Sequence, residues 1–332
     1  MVGYFGMDNF GDDLFVKTIA ADPGRYTGAE EVVFGCPPIG GIQASYSWSG
    51  RLLRKQFQNE GRIGGIVRLA VGLEGLLRCR TLVMGGGSVL SSLEGVRRVQ
   101  AKLTRRSRFK WRAVSVSIGP FERNSDADEV LDFLSRFDSV AVRDERSYRL
   151  AVSKGLGQVT QNWGDIVLGS PPANVSRIPG RIVLIPCIDA PWEHHSGTIL
   201  AIKEFAATEQ LALDVVVLSV NSNSTHGDDE FSERCAGALS GVPVRRLRYV
   251  DIGVRETWEL IGSASLVVSG RLHGIIAAMA NGVPSVGFEY HQKVTDLLSD
   301  AGVGVEARIS SQASVAIARE VVDRRLREAI LN

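Results

Sequence analysis

Short runs of β-branched and other apolar residues recur along the chain, each followed by a stretch long enough for a helix. That alternation is the strongest constraint on the fold. "EVVFGC" (31–36), "TLVMGGG" (81–87), "RAVSVSIG" (112–119) and "SVAVRD" (139–144) read as strands, with "VGYFG" (2–6) as a short opening strand. Helices are expected over 63–78, 88–106, 126–137 and 145–154. The pattern resumes with strands at "RIVLIPC" (181–187), "LDVVVLSV" (213–220), "PVRRLRYV" (243–250), "ASLVVSG" (264–270) and "PSVGFEY" (284–290). Helices are expected near 197–208, 228–239 and 254–262, from 271, and over 291–300. Apolar strands alternating with helices predict an α/β protein whose parallel sheets are covered on both faces.

A length of 332 residues suggests two domains. The stretch "GSPPANVSRIPG" (169–180) has no periodicity and reads as the linker. Two Rossmann-like domains are therefore expected, 1–172 and 173–332. A cleft between them should hold the ligand, because such sheets bind ligands beyond the carboxyl ends of their strands. With 44% apolar and 23% charged residues the composition is that of an ordinary globular protein, and a net charge of +1 does not point to nucleic acid. Cys36, Cys79, Cys187 and Cys235 are scattered with no CxxC pair, which reads as reduced, buried thiols of a cytoplasmic protein. No basic-then-apolar leader opens the sequence, and the apolar run "IIAAMA" is far short of the ~20 residues of a membrane span.

The chemistry concentrates in "SGRLHGIIAAMANGVPSVGFEYHQK" (269–293). Gly270 lies at a strand exit, with Arg271 and His273 in the first helical turn. A helix N-terminus favours an anion, an arginine fork grips a carboxylate or phosphate, and a histidine exchanges protons near neutral pH. The alternative is an arginine paired with a nearby carboxylate and a satisfied buried histidine. Downstream, Glu289 is placed to act as a base, and Tyr290, His291 and Lys293 open the next helix, where Lys293 also reads as a solvated lysine. Arg143 in "VRDERS" ends a strand of the first domain. Its bland partners are Asp144 and Glu145, of which Asp144 points to the opposite face. Asp165 in "GDIVL" reads equally as a turn residue and a site residue.

Gly85, Gly86 and Gly87, with Ser88, follow a strand in "MGGGSVL", where backbone N–H groups can approach a phosphate or sugar. The run lacks the spacing of a dinucleotide or P-loop site, and a plain tight turn is the rival. In "GYFGMDNFGDD", Asn9 and Asp12 can face a cleft, while Asp12 or Asp13 can cap the helix beginning there. His194, His195 and His226 read as loop residues, with no third ligand at metal spacing. The stretch 97–112 holds eight basic and no acidic residues, with Phe109 and Trp111 among them. It reads either as a contact with an anionic membrane or acceptor or as a solvated helix face, giving a cytoplasmic protein that can sit peripherally at the inner face of the membrane.

Four segments, 3–15, 84–90, 142–151 with 164–168, and 269–293, resemble the polysaccharide pyruvyl transferases. The resemblance implies two Rossmann-like domains of the glycosyltransferase-B type. It implies transfer of the enolpyruvyl group of phosphoenolpyruvate to two hydroxyls of a sugar, in a polysaccharide or its lipid-linked precursor, with release of phosphate. It also implies that Arg143, Gly270, Arg271, Leu272, His273 and Lys293 serve the donor, with His273 as acid or base and Asp165 and Glu289 as further candidates. No metal or cofactor is expected beyond the co-substrate. Two rivals stand beside it: a nucleotide-sugar glycosyltransferase on the same architecture, and a non-catalytic binder of anionic glycan or membrane through 97–112.

Overall fold

The computed structural model describes residues 1–59, 61–87, 90–93, 99, 109–121, 123–222 and 227–331. Of the expected helix 88–106 only 90–93, which are not helical, and 99 are described; Ser88, His226, residues 97–98 and 100–108 of the basic stretch, and the side chain of Lys293 lie outside the described residues. The chain forms two compact units. One comprises Met1–Met7 with Asp12–Ile166, the other Asp8–Gly11 with Val167–Asn332. The division falls ahead of the expected boundary at 172, and the linker runs along the second unit. There Ala173 N–H donates to Asn281 Oδ1 and Ile178 N–H to Ser263 C=O, at 2.6 and 2.8 Å.

The first unit contains a parallel sheet of four strands in sequence order: β3 (Thr81–Gly85), β4 (Lys110–Val116), β5 (Ser139–Val142) and β6 (Thr160–Asn162). A separate parallel pair joins β1 (Val33–Phe34) to β2 (Ser45–Tyr46). Its core gathers Leu82, Met84, Trp111, Val116, Phe133 and Val140. Two expectations fail here. Residues 2–6 are not a strand: Val2 makes one bridge to Met84, and the chain then turns through positive φ at Gly6 and Asp8. The aromatic part of the basic stretch does not face outward. Trp111 is 1% exposed, with its ring 6.2 Å from Phe133 and 5.8 Å from Phe137, and Phe109 packs on the same core. The strand alternation of β4 turns Trp111 inward.

The second unit holds β7 (Arg181–Ile185), β8 (Asp214–Ser219), β9 (Val244–Arg248), β10 (Leu266–Ser269), β11 (Ser285–Glu289) and β12 (Arg308–Ser310). All pair in parallel, in the order β12-β11-β10-β7-β8-β9. The first strand, β7, thus lies in the middle, with β8 and β9 on one side and β10 to β12 on the other. The order reverses between β7 and β10, where Leu266 is in register with Ile182 and Ser269 with Ile185. This is the doubly wound arrangement, and its crevice opens at that reversal. Ile182, Val183, Leu184 and Ile185, and Leu266, Val267 and Val268, are fully buried, which explains their uninterrupted apolar sequence. The edge strand β12 and the helix Val315–Ile330 go beyond the expected elements. That helix buries Ala318, Val322 and Leu326 against Trp192–Glu209, where Gly197 permits close approach: a Cβ there would stand 2.6 Å from that of Ala318. The cysteines are free thiols, and Cys79, expected to be buried, is only partly so.

Candidate functional site

Ser269 ends β10, and its hydroxyl accepts the Arg271 N–H at 3.1 Å and donates to the Arg271 C=O at 2.7 Å. This clamp sets Arg271 in an extended conformation as the N-cap of the helix Leu272–Ala280, without a side-chain cap. Gly270 passes close to the end of β7: a Cβ there would lie 2.6 Å from Cys187 Cβ. Arg271 therefore emerges at the crevice between β10 and β7, the place in such a sheet where ligands bind.

The Arg271 fork is held by two carboxylates. Asp228, fully buried, accepts from Nε and Nη2 at 2.7 Å each, and Asp189, half exposed, accepts from Nη1 at 3.1 Å. Asp228 also accepts the Ile188 N–H at 3.0 Å. Burial raises the Asp228 carboxyl above its ordinary range, against the pull of Arg271 and that N–H. The pairing expected as the bland alternative is thus present. With Nε and Nη2 engaged by the buried Asp228, the Nη1 side of the fork is the one that meets the half-exposed Asp189. Tyr290 and Cys187 line the same crevice, and burial raises both, the Cys187 thiol to about 11, so both are neutral near pH 7.

His273 is the second residue of this helix, and its imidazole lies against the backbone of Gly11, where any Cβ would collide with Nδ1. The segment Asp8–Gly11 is fixed beyond the end of β8. Phe10 N–H donates to Val220 C=O at 2.9 Å, Ser222 N–H to Asp8 C=O at 3.0 Å, and Asn9 bridges to Asn221. Asn9 Oδ1 accepts the Gly11 N–H at 2.9 Å. Asn9 therefore shapes the turn under His273. Glu289 is paired with Arg308 Nη1 at 3.2 Å.

In the first unit, Arg143 is 4% exposed at the end of β5. Its Nε donates to Ser117 Oγ at 2.6 Å and its Nη1 lies 3.9 Å from Asp165 Oδ2. Asp144 caps the helix Glu145–Ser153 through the Ser147 N–H and accepts from Ser117 Oγ, while Glu145 pairs with Arg149. Two N–H groups of the glycine run are engaged within the fold. The Gly85 and Gly86 N–H groups donate to Val2 and Val114 C=O, at 3.0 and 3.3 Å, and Gly86 and Gly87 have φ of 78° and 72°. The tight turn needs glycine there. The Asp12 carboxylate lies beside Gly87, and Asp13 accepts the Gly6 N–H at 2.7 Å.

His194 and His195 are not loop residues; both are buried in the first turn of Trp192–Glu209. Cys187 N–H donates to His195 Nε2 at 3.2 Å, so Nδ1 carries the proton toward Pro191 C=O, 3.1 Å away. Burial lowers the pKa of His195 from 6.5 to about 4. The folded state holds the neutral ring, so its contribution is complete above pH 6.5 and is lost as pH falls through about 4. Over that interval the wild type should lose on the order of 3 kcal/mol that His195→Gln does not. Chemical denaturation at stepped pH reads this; equal slopes for both proteins would contradict it.

A family model for polysaccharide pyruvyl transferase matches residues 65–292. The chain belongs to the polysaccharide pyruvyl transferase family. The matched span includes Arg143, Asp165, Gly270 to His273 and Glu289; Asn9, Asp12 and Lys293 fall outside it. No curated protein matches the sequence. Among solved structures, the UDP-GlcNAc 2-epimerase of Methanocaldococcus jannaschii is similar with a TM-score of 0.58 at 11% identity, covering 100% of this chain and 91% of that one. The S. aureus MnaA–UDP co-structure has a TM-score of 0.58 at 11% identity, covering 100% of this chain and 87% of that one. The Neisseria meningitidis UDP-GlcNAc 2-epimerase bound to UDP-GlcNAc has a TM-score of 0.57 at 9% identity, covering 98% and 89%. At such identities the likeness is one of fold, and the fold of this transferase is α/β with parallel sheets, of the glycosyltransferase-B type. Among the described residues no helix is long and apolar enough to cross a membrane.

Proposed function

We propose that this transferase moves the enolpyruvyl group of phosphoenolpyruvate onto two hydroxyls of a sugar, as a pyruvate ketal, in a polysaccharide or its lipid-linked precursor. The observation that carries the reading is that the family match spans Gly270–Arg271–Leu272–His273, the residues that emerge at the reversal of the second sheet.

A proton goes to the methylene carbon of the donor, converting it to the methyl group and leaving an oxocarbenium-like centre beside the carboxylate. One sugar hydroxyl attacks that centre, the bond to the phosphate oxygen breaks, and the second hydroxyl closes the ketal. One hydroxyl proton balances the new methyl hydrogen and the other leaves with phosphate. In this reading His273 exchanges the proton and Arg271 holds the donor charge through its Nη1 side, with Asp189 yielding its place. Arg143, Leu272 and Lys293 are assigned to the donor, with Asp165 and Glu289 as the remaining acid–base candidates; Asn9, Asp12 and the glycine loop are assigned to the acceptor side. No cofactor is assigned. The reaction takes place on the cytoplasmic side.

Phosphoenolpyruvate should raise the melting temperature more than UDP or GDP, because a ligand bound only by the native state stabilises it by mass action. A panel of glycosides should then support phosphate release. A shift with UDP and none with phosphoenolpyruvate would replace this reading with the nucleotide-sugar one.

A further inference from the structure

The helix Arg62–Arg78 is apolar on two faces. Val67 and Val71 are buried, yet Ile63, Ile66, Leu73 and Leu77 are 61%, 68%, 43% and 89% exposed. With exposed Ala70, the exposed set follows the 3-4-3-4 spacing of one helical stripe. The short helix Trp48–Leu52 adds Trp48 and Leu52, 67% and 62% exposed. Glu74 binds the two helices together: it accepts from Trp48 N–H and Ser49 N–H at 2.8 Å and from Ser49 Oγ at 2.7 Å, and pairs with Arg78 at 2.8 Å. Trp48 is thereby fixed beside the turn that carries Leu73 and Leu77.

Charge selects the occupant. Residues 48–80 contain seven basic and two acidic residues in a chain of net charge +1. Arg51, Arg54, Lys55, Arg62, Arg78 and Arg80 are exposed. Glu74, one of the two acids, is spent on the internal contacts just described. Exposed aliphatic side chains with a tryptophan and a surrounding excess of arginine and lysine match the boundary between lipid headgroups and acyl chains. A second copy docked face to face would set this basic surface against itself. We propose that the surface formed by Trp48–Leu52 and Arg62–Arg78 is an interfacial docking face for an anionic lipid leaflet. It is separate in sequence from the basic stretch 97–112 and independent of the assigned chemistry.

The test is sedimentation with vesicles of phosphatidylglycerol and phosphatidylcholine, against phosphatidylcholine alone, together with quenching of tryptophan fluorescence by brominated lipid. The wild type should bind the anionic vesicles, more weakly at high salt. The Ile66→Glu/Leu77→Glu variant should bind about tenfold or more weakly, since each side chain no longer leaves water. Its melting temperature should be unchanged because both positions are exposed. Quenching should be lost in Trp48→Phe. Wild-type binding by Ile66→Glu/Leu77→Glu would overturn the proposal. So would binding that only Arg105→Glu/Arg106→Glu/Arg108→Glu abolishes. Absence of vesicle binding, with or without a dimer that Leu77→Glu dissociates, would overturn it too, the dimer pointing to a second copy as the occupant.

Discussion

His273→Gln should lose about 10²–10⁴-fold in turnover, the usual worth of a positioned acid–base group, while donor affinity changes far less. The separation follows from geometry. Arg271 is anchored by Asp228 and by the Ser269 clamp, neither of which involves the His273 ring. The same loss should be approached from the other side of the ring. In Gly11→Ala the added methyl occupies the place of Nδ1, so the imidazole must move. A displacement near an ångström is worth about 10² in rate. Turnover and phosphoenolpyruvate binding measured on each folded variant decide the matter. Turnover within a few-fold of wild type in His273→Gln would remove the histidine from the chemistry. Asp165, beside Arg143, and Glu289, paired with Arg308, would then be tested in turn.

Asp228→Ala should cost about 3–5 kcal/mol of stability, the range for breaking a buried pair by removing one partner. The Asp228 side chain is fully buried and that of Arg271 is 18% exposed, so the guanidinium has little water to turn to. Asp228→Leu combined with Arg271→Leu should recover most of that stability, because an apolar pair needs no compensation, and should still lack donor binding. Arg271→Lys keeps the charge without the fork, and should weaken donor binding by about 1–3 kcal/mol. Urea titration with donor isotherms on the same proteins provides the readout. A cost below about 1 kcal/mol for Asp228→Ala would mean that the pair is solvent-screened and of little structural weight.

Strands β7, β8 and β10 were legible because burial on both faces leaves an apolar run. β12 was not: an edge strand of three residues needs no such run. The opening segment failed because backbone turns at Gly6 and Asp8, not side-chain pattern, decide its path. His194 and His195 looked like loop residues because their helix starts on a Pro191 N-cap with a polar first turn. In the site, Arg271 and His273 stood out because polar groups at a strand-to-helix junction are conspicuous in sequence. Their partners were hidden. Asp228 and Asp189 lie 43 and 82 positions from Arg271, and the segments that follow β8 and β7 bring them to it. Asp228 falls at the start of a helix expected near 228–239, where nothing local points to an arginine. Ser117, which holds Arg143, is a serine inside a strand pattern with no local mark.

The turn at Asp8–Gly11 carries a consequence for biogenesis. These residues are synthesised ahead of Asp12–Ile166, yet they complete a unit whose remainder begins at Val167. The second unit cannot close around His273 during synthesis of its own segment alone; it must recover a piece of chain made more than a hundred residues earlier. A fragment starting at Val167 would keep Arg271 and Asp228 but lack the backbone against which the imidazole rests. Supplying a peptide that spans Asp8–Gly11 in trans would be the way to restore it.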